Sequence, residues 1–363
     1  LFGGYLHGRV SSQAWKRVTR EYMREHQSVG QQSLNTRRLA HLVAEKLIGL
    51  GHAEAEAHER VVFALAGIDI VVDKKEKTEY LIYVSNAVLE AVADLIHKNW
   101  SDLDKAPEFM KDYVGKSLPK GKVSKLVNTK FLEDLKAIIS DKKVPETALF
   151  GRHLADIPQA MTDGACQVAH ALTTHELQLE IDYFTAVEDA PLEGELGAGT
   201  INETEFSSAC FYRYAAVNLQ QLVDNLKGDV DQAAKTADLF FDGFHDTVPK
   251  SKRGAFAHNA EVSLAVFVFH HGTLPLNLAN AFIEPVYPRG RGGVIQRSVT
   301  ALENHMEGLD KYYGERREVL KVICGAPPGI KLDYLAEDDQ RQDDLDSLFD
   351  SVTETTKWLL GQP

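Results

Sequence analysis

The chain has 363 residues, of which 44% are hydrophobic, so it can bury a substantial core and is long enough for two domains or one elaborated domain. Its formal net charge of −13, from 40 basic and 53 acidic residues, argues against a protein that coats itself nonspecifically in nucleic acid. Three scattered cysteines are too few for a disulfide framework or a zinc cluster, which predicts a reducing, cytoplasmic location. No apolar run approaches the roughly 20 residues that span a bilayer, so no membrane partner is expected.

The first predicted element is an amphipathic helix within residues 9–24. At 100° per residue, its polar side carries a basic stripe formed by Gln13, Arg17, Arg20 and Arg24, with Lys16 beside it. Its opposite side is apolar and carries Ala14, Trp15, Val18 and Tyr22. Ser11 and Ser12 lie where an N-cap belongs, at the positive end of the helix dipole. Such a stripe suits the consecutive phosphates of a nucleic-acid strand, and a solvated charged face is the open alternative.

The next region, residues 34–99, is predicted to be mainly helical. Apolar residues at helical spacing indicate one helix and then a second that begins at Ala53. Two strand-like runs, 68–72 and 80–84, flank a charged turn and predict a β-hairpin. Helical periodicity then returns up to residue 99, and a lysine-rich stretch follows. A solvated surface is the simplest interpretation of those lysines.

Beyond Pro145, strand-like runs alternate with helical ones. The predicted strands are 148–150, 167–173, 210–217 and 262–269. The predicted helices are 218–226, 230–243, 277–283, 294–313 and an acidic surface helix within 333–354. This alternation predicts an α+β or α/β fold, in which helices cover one face of a sheet.

Several motifs occur in the order of a known family. They are Phe2-Gly3-Gly4 followed by Arg9 to Arg17, Ala169 to His175 followed by Ile181 to Asp189, Glu205 to Ala215, and Leu278 to Phe282. On these motifs the chain resembles the CRISPR type I-E Cascade backbone subunit, the CasC family, and is identified as a member over residues 1–315.

The resemblance implies an α+β fold with an RRM-like (ferredoxin-like) palm, a large helical fingers insertion and a thumb β-hairpin. The implied boundaries are 1–33 and 147–330 for the palm, 34–146 for the fingers, 174–208 for the thumb and 331–363 for an acidic C-terminal helix. The family's first palm strand precedes Phe2 and is expected to be missing from this sequence.

The resemblance also implies a function. A non-catalytic backbone subunit of the type I-E Cascade surveillance complex polymerises as a homo-oligomeric filament along CRISPR RNA and presents it for pairing with target DNA in antiviral defence. The expected partners are therefore CRISPR RNA, target DNA, other copies of the chain and other Cascade subunits. The alternative is a CRISPR-associated endoribonuclease that processes the precursor RNA, because RNA-processing relatives share the palm fold.

The family's motifs place candidate binding residues on this chain. RNA contacts are expected at Arg9, Ser11, Ser12, Gln13, Lys16, Arg17, Arg20, Arg152 and His153, and, at the base of the thumb, at Thr173, Thr174, Phe206, Ser207 and Ser208. DNA contacts are expected at Lys116, Lys120, Lys122, Lys125 and Lys130. Base pairing between the guide RNA and its target supplies the sequence specificity. These residues are therefore expected to contact the nucleic-acid backbone and recognise its shape rather than its bases.

One departure from the family affects the RNA contacts. Family members carry basic residues just after Gly4, whereas this chain has Tyr5, Leu6 and His7. More of the phosphate binding would therefore fall on the basic residues of the first helix.

Histidines near residue 175 raise the question of a metal site. His170 and His175 are five positions apart, which matches no known zinc spacing, and on a strand they point to opposite faces. The acids nearby are Glu176, Glu180 and Asp182. Structural or RNA-facing histidines are expected instead, and no metal or other cofactor is predicted.

The loop from Glu176 to Glu205 is acidic and contains no basic residue, yet apolar side chains are interspersed along it. Composition alone suggests a disordered acidic insert. Together with the resemblance, the apolar side chains predict a hairpin that wedges between bases.

Overall fold

The computed structural model describes residues 1–27, 33–73, 75–113, 125–140, 144–152, 161–187, 198–272, 275–287, 293–336 and 340–361. The chain forms two compact units. The sheet unit comprises residues 1–15, 168–215 and 248–352, and the helical unit comprises residues 16–167, 216–247 and 353–363. The limits of these units do not coincide with the boundaries expected for palm, fingers and thumb. Those boundaries stay a prediction.

Helices and strands are mixed along the chain, so the fold is α+β. The helices are α1 (Ser12–His26), α2 (Leu39–Gly49), α3 (Glu54–Gly67), α4 (Asn86–Lys98), α5 (Ala106–Tyr113), α6 (Thr129–Ile139), α7 (Pro145–Phe150), α8 (Leu219–Asn225), α9 (Val230–Asp246), α10 (Arg253–Phe256), α11 (Gly293–Tyr313) and α12 (Leu345–Leu360). The strands are β1 (Arg9–Val10), β2 (Ser33–Thr36), β3 (Ile82–Ser85), β4 (Cys166–Val168), β5 (Ala171–Thr173), β6 (Glu180–Val187), β7 (Ala198–Phe206), β8 (Phe211–Tyr212), β9 (Ala215–Val217), β10 (Ala265–His270), β11 (Val319–Gly325) and β12 (Arg341–Gln342). Short 3-10 helices lie at Trp100–Leu103, Leu278–Phe282 and Gly314–Arg317.

The core of the helical unit is formed by α2 to α6, of which α2, α3 and α4 confirm the helices predicted between residues 34 and 99. Apolar side chains at helical spacing, among them Val43, Leu47, Phe63, Leu89 and Leu135, are fully or almost fully buried in one cluster. Two helices begin at side-chain caps, since Ser85 accepts a hydrogen bond from the Val88 N–H and Asn128 accepts one from the Lys130 N–H. Burial of this apolar face holds the helices together.

The prediction that residues 68–72 and 80–84 pair as a β-hairpin is wrong. The turn forms, since the Asp73 N–H donates to the Lys77 carbonyl at 2.8 Å, but Val72 and Thr78 make only an isolated bridge. Strand β3 pairs instead with β2, from Ser33 opposite Ser85 to Thr36 opposite Ile82.

The strand predicted at 148–150 is also wrong, because these residues end helix α7. Pro145 lies in the first turn of α7, where its fixed φ favours the helix and its missing N–H costs nothing. Residues 145–149 are all buried. A short apolar run of this kind does not distinguish a buried helix from a buried strand.

The sheet unit contains two three-stranded sheets. Their strand orders are β1-β5-β8, all antiparallel, and β10-β11-β12, in which β10 and β11 are antiparallel and β11 and β12 parallel. Helix α11 packs on the second sheet through a core that includes Val299, Met306 and Cys324. The described strands do not join into one palm sheet, so the RRM-like palm stays a prediction.

A long antiparallel hairpin also belongs to the sheet unit. Strands β6 and β7 pair from Glu180 opposite Phe206 to Val187 opposite Ala198. The acidic loop is therefore an ordered hairpin over its described strands rather than a disordered insert.

None of the helices in the described ranges combines the length and the apolar character that crossing a bilayer requires.

We expect the stability of the protein to depend on an acidic face of α9. Partial burial, together with Asp238 and Asp246, raises the pKa of Asp242 to about 6. Because the pKa of Asp242 is higher in the folded state than in the unfolded state, its protonated carboxyl favours folding at acid pH. That stability is lost as the pH rises through about 6 and the carboxyl ionises. Asp242→Asn should therefore raise the free energy of unfolding at pH 7 by about 1 kcal/mol, once solvent screening is allowed for. The melting temperature at pH 7 should rise with it.

Thermal melts at pH 4 and pH 7 check this expectation, with Asp134→Asn on the exposed face of α6 as the control. The Asp242 variant should match the parent at pH 4 and exceed it at pH 7. An equal gain at both values would mean that the charge of Asp242 is not the cause.

Candidate nucleic-acid interface

Helix α1 begins as the sequence predicts, at a serine cap. The Ser11 hydroxyl accepts a hydrogen bond from the Gln13 N–H at 3.2 Å, and the Ser11 carbonyl accepts the N–H groups of Ala14 and Trp15. Trp15, Val18 and the neighbouring Met23 are buried. The predicted apolar face is thus the packed face of the helix.

The exposed basic surface of α1 is smaller than the predicted stripe. The Arg17 side chain is 79% exposed and pairs with Glu21 one turn later at 3.0 Å. Gln13 is exposed and Lys16 partly exposed, while Arg9 is exposed on β1. A surface pair such as Arg17–Glu21 contributes about 0.3–0.5 kcal/mol, so a phosphate can replace the carboxylate at little cost.

Arg20 belongs to the interior of the helical unit instead. Its side chain is 17% exposed, and its Nε lies 3.7 Å from the fully buried carboxylate of Glu146. Its guanidinium also lies over two aromatic rings, 5.2 Å from the centroid of Tyr83 and 4.9 Å from that of Phe150. Cation–π contact and ion pairing therefore fix Arg20 against β3 and α7.

Glu146 is the acceptor around which this part of the helical unit is organised. Arg24 donates to both carboxylate oxygens, with Nε at 3.1 and 3.2 Å and Nη2 at 3.0 Å. The Ser33 hydroxyl donates to the same carboxylate at 2.6 Å. A bidentate arginine and a hydroxyl compensate the cost of burying this charge. Arg24, like Arg20, is thus withdrawn from the predicted stripe.

Arg152 is buried as well. It is 5% exposed, and its Nη1 donates to the carbonyl of Ile139 at 3.1 Å and to that of Tyr83 at 3.4 Å. The structure gives this guanidinium the role of joining α6, β3 and the end of α7 rather than an exposed position for a phosphate. His153 lies outside the described residues.

The Phe-Gly-Gly motif forms a tight turn. Phe2 and Tyr5 exchange two backbone hydrogen bonds, at 2.9 and 3.0 Å. Gly3 and Gly4 have φ values of +61° and +93°, and a Cβ on Gly3 would lie 2.4 Å from the carbonyl oxygen of Ile283. Only glycine fits both the backbone angle and that close approach at Gly3.

Thr173 and Thr174 are buried and use their hydroxyls inside the sheet unit. Thr173 Oγ1 accepts the Gly8 N–H at 3.0 Å and donates to the His175 carbonyl at 2.7 Å. The Thr174 and Ser298 hydroxyls are hydrogen-bonded at 2.8 Å. His7, in the segment that departs from the family, is buried too, and its Nδ1 donates to the Thr173 carbonyl at 2.7 Å. These threonines position the surrounding backbone.

His175 holds the two sides of the hairpin base together. Its Nδ1 donates to the Glu176 carbonyl at 2.9 Å, and its Nε2 accepts the Cys210 N–H at 3.2 Å. Both ring nitrogens are therefore used in hydrogen bonds within the fold, which assigns His175 a structural role. His170 is exposed on the connection between β4 and β5.

The hairpin formed by β6 and β7 carries apolar side chains in solvent. Ile181 and Tyr183 are 55% and 66% exposed. They lie opposite Glu205 and Glu203, so acids and apolar groups share a face. At its base, the Phe206 ring meets the Phe256 ring edge-on at 4.9 Å, while Ser207 and Ser208 are exposed. In its described part the hairpin can offer apolar contact, and the acids opposite Ile181 and Tyr183 repel phosphates.

Two of the five lysines predicted to contact DNA can be located. Lys125 and Lys130 are exposed beside the start of α6. Lys116, Lys120 and Lys122 lie outside the described residues.

Sequence reasoning missed two features of the region. Glu146 gave no signal, because an isolated glutamate in an apolar run has no partner within reach in sequence. Arg213, whose guanidinium lies 4.5 Å from the centroid of the Trp15 ring, was overlooked within a predicted strand. Alternation of Arg213 between aromatic residues was the available signal for a stacked cation.

The comparisons with known proteins concern nearly the whole chain. The model of the CT1975-like protein family matches residues 1–350. The fold is similar to a chain of a solved "CRISPR RNA-guided surveillance complex, pre-nicking", at 28% identity and a TM-score of 0.80, covering 98% of this chain and 92% of that one. It is also similar to a chain of a "CRISPR RNA-guided surveillance complex", at 25% identity and a TM-score of 0.69, covering 98% and 91%. No curated protein matches the sequence.

The contrast between Arg17 and Arg20 gives a stability prediction. Arg20→Ala removes the packing on two aromatic rings and a partner of a buried carboxylate, so it should lower the free energy of unfolding by about 2 kcal/mol. Arg17→Ala removes only an exposed pair and should change it by less than about 0.5 kcal/mol. Urea unfolding of the two variants measures the difference. Equal midpoints would mean that Arg20 is not part of the packed interior.

Proposed function

The chain belongs to the CT1975-like protein family, and we propose that it is a CRISPR RNA-binding subunit of a Cascade-type surveillance complex. The observation that carries this proposal is the likeness of almost the entire chain to single chains of two RNA-guided surveillance complexes. A fold by itself does not determine a function, so the exposed groups must also suit the task.

In this proposal the chain is the backbone subunit, related to the type I-E subunit that the motifs resemble. Several copies would polymerise along one CRISPR RNA in the cytoplasm and present it to target DNA in antiviral defence. The chain itself would catalyse no step, and base pairing would select the target.

The RNA backbone would lie along the exposed basic part of α1. Arg17 and Lys16 supply charge on the helix, Ser11 and Gln13 belong to its donor-rich start, and the exposed Arg9 on β1 precedes it in the chain. A short basic surface on an acidic chain favours a defined track over nonspecific coating.

The hairpin formed by β6 and β7 would act on the neighbouring copy. Its exposed Ile181 and Tyr183 can pack against an unstacked base, where stacking contributes about 1–3 kcal/mol. Its acids disfavour a position along the phosphates. These two properties suit a wedge that separates bases at intervals.

Target DNA would meet the exposed lysines at the start of α6. Lys125 and Lys130 are the described members of that group. Other Cascade subunits complete the expected set of partners.

The first test concerns binding of single-stranded RNA. The double variant Lys16→Ala with Arg17→Ala should weaken binding to every RNA sequence alike, and each lost phosphate contact should lower the slope of log K against log salt by roughly 0.7. Glu21→Gln should strengthen binding, because it frees Arg17 from its pair. Fluorescence anisotropy over a salt series measures both effects.

The control for that test is Lys235→Ala, an exposed lysine on α9 of the helical unit. It should leave affinity and salt slope unchanged. A loss confined to one RNA sequence would indicate base recognition, and cleavage of the RNA at one position would favour the endoribonuclease.

The second test concerns the hairpin. Replacing residues 177–206 with an Asn-Gly turn should leave a folded protein, because Thr174 and Cys210 still meet through the Thr174 N–H and the Cys210 carbonyl at 2.9 Å. Chemical probing of guide RNA bound to the intact protein should give a periodic pattern of reactive nucleotides. The shortened protein should give an even pattern, and persistence of the period would rule the hairpin out as the spacing device.

A further inference from the structure

We propose that His41, His58 and Glu76 of the helical unit form a zinc site. His41 lies in the first turn of α2, His58 lies in α3, and Glu76 lies in the turn that follows α3. One ligand atom from each of the three residues lies within 4.8 Å of the others. Residues separated by 35 positions thus converge at one point of the fold.

The distances place both imidazoles against the same carboxylate. Nδ1 of His58 is 2.9 Å from Oε1 of Glu76, and Nδ1 of His41 is 3.9 Å from Oε2 of Glu76. The two imidazole centroids are 5.8 Å apart. Zinc binds nitrogen at about 2.0–2.1 Å and carboxylate oxygen at about 2.0–2.2 Å, so small side-chain rotations suffice to bring all three ligands onto one ion.

His58 supplies a second, independent observation. Its Nδ1 is buried and makes no hydrogen bond among the described residues, although it lies 2.9 Å from Oε1 of Glu76. An imidazole nitrogen that is withdrawn from water and aimed at a carboxylate without bonding to it has a lone pair available for a metal ion.

His41 has the outer support that metal-bound histidines usually have. Its Nε2 lies 3.2 Å from Oε1 of Glu45, while its Nδ1 faces Glu76. In the neutral tautomer Nε2–H donates to Glu45 and leaves Nδ1 free to bind the metal. Glu45 is therefore a positioning residue rather than a ligand.

The turn that carries Glu76 is held in place by its own hydrogen bonds. Asp73 Oδ1 accepts the N–H groups of Lys75 and Lys77 at 2.8 and 2.9 Å, and the Glu76 N–H donates to the Asp73 carbonyl. Glu76 itself has φ of +58°, in the left-handed region that costs a residue with a side chain about 1 kcal/mol or more. The fold thus accepts local strain at the residue whose carboxylate faces both histidines.

The donor set selects the ion. Two imidazoles and one carboxylate are typical zinc ligands, and calcium and magnesium prefer oxygen ligands alone. A water molecule would complete four-coordination. The ion would tie α2, α3 and the turn together at the edge of the apolar core that these helices share. The site shares no residue with the proposed RNA track, and its test does not depend on RNA binding.

The experiment uses the full-length chain, stripped with a chelator and then titrated with zinc chloride. We expect about one zinc ion per chain by mass spectrometry of the metal after gel filtration, and a rise in melting temperature of about 4 °C or more at saturation. His58→Gln and Glu76→Gln should each abolish both effects. Glu45→Gln should weaken the affinity by about 10–100-fold without removing the site.

His52→Gln is the matched control, because His52 is a histidine of the same unit that bonds to His97 at 2.7 Å. It should bind zinc like the parent. Glu76 lies on an exposed turn, so its variant remains informative even where His58→Gln lowers the stability of the metal-free protein. Zinc retained by both ligand variants, or none bound by the parent, would overturn the proposal and leave an ordinary cluster of imidazole–carboxylate pairs.

Discussion

The packing of α1 and β2 against α7 in the helical unit depends on the buried carboxylate of Glu146. It accepts hydrogen bonds from Arg24 of α1 and Ser33 of β2, and Arg20 lies beside it. One side chain of α7 thereby fixes a helix and a strand that are distant in sequence. A charge buried with its partners contributes little net stability, but loss of Arg24, which donates to both oxygens, would cost about 3–5 kcal/mol. Glu146 therefore determines how these elements pack.

Local pattern was enough to predict most elements but not their partners. Helices α2, α3 and α4 follow from apolar spacing. The partner of β3 was mispredicted because its turn suggested the neighbouring run, whereas β2 lies about 50 residues upstream and has no strong pattern of its own. Helix α7 was mispredicted because burial on every side removes the periodicity that distinguishes helix from strand.

For the candidate interface, the sequence predicted the residue types on α1 but not which of them are exposed. Spacing puts Arg17 and Arg20 on the same side of α1, which predicts that both are exposed, but only Arg17 is. The difference comes from Glu146, a carboxylate on α7 that is far from α1 in sequence. Thr173 and Thr174 illustrate the same limit, since a hydroxyl next to a strand looks available in sequence and is used internally in the fold. Residue type predicts the chemistry of a side chain, and only tertiary partners determine whether that chemistry faces solvent.

The arginines of α1 differ in whether their partners lie at the surface or in the interior. The chain is acidic overall, with 53 acidic against 40 basic residues. Two of the basic residues, Arg24 and Arg20, form ion pairs with the buried Glu146. Arg17 pairs with the partly exposed Glu21 one turn later, and a phosphate can replace that carboxylate at little cost. The helix that packs through Trp15 and Val18 thus presents Arg17 at the surface and directs Arg20 and Arg24 to the buried Glu146. In the proposed function, a phosphate strand would therefore meet Arg17 on a helix that Arg20 and Arg24 anchor to the interior of the helical unit.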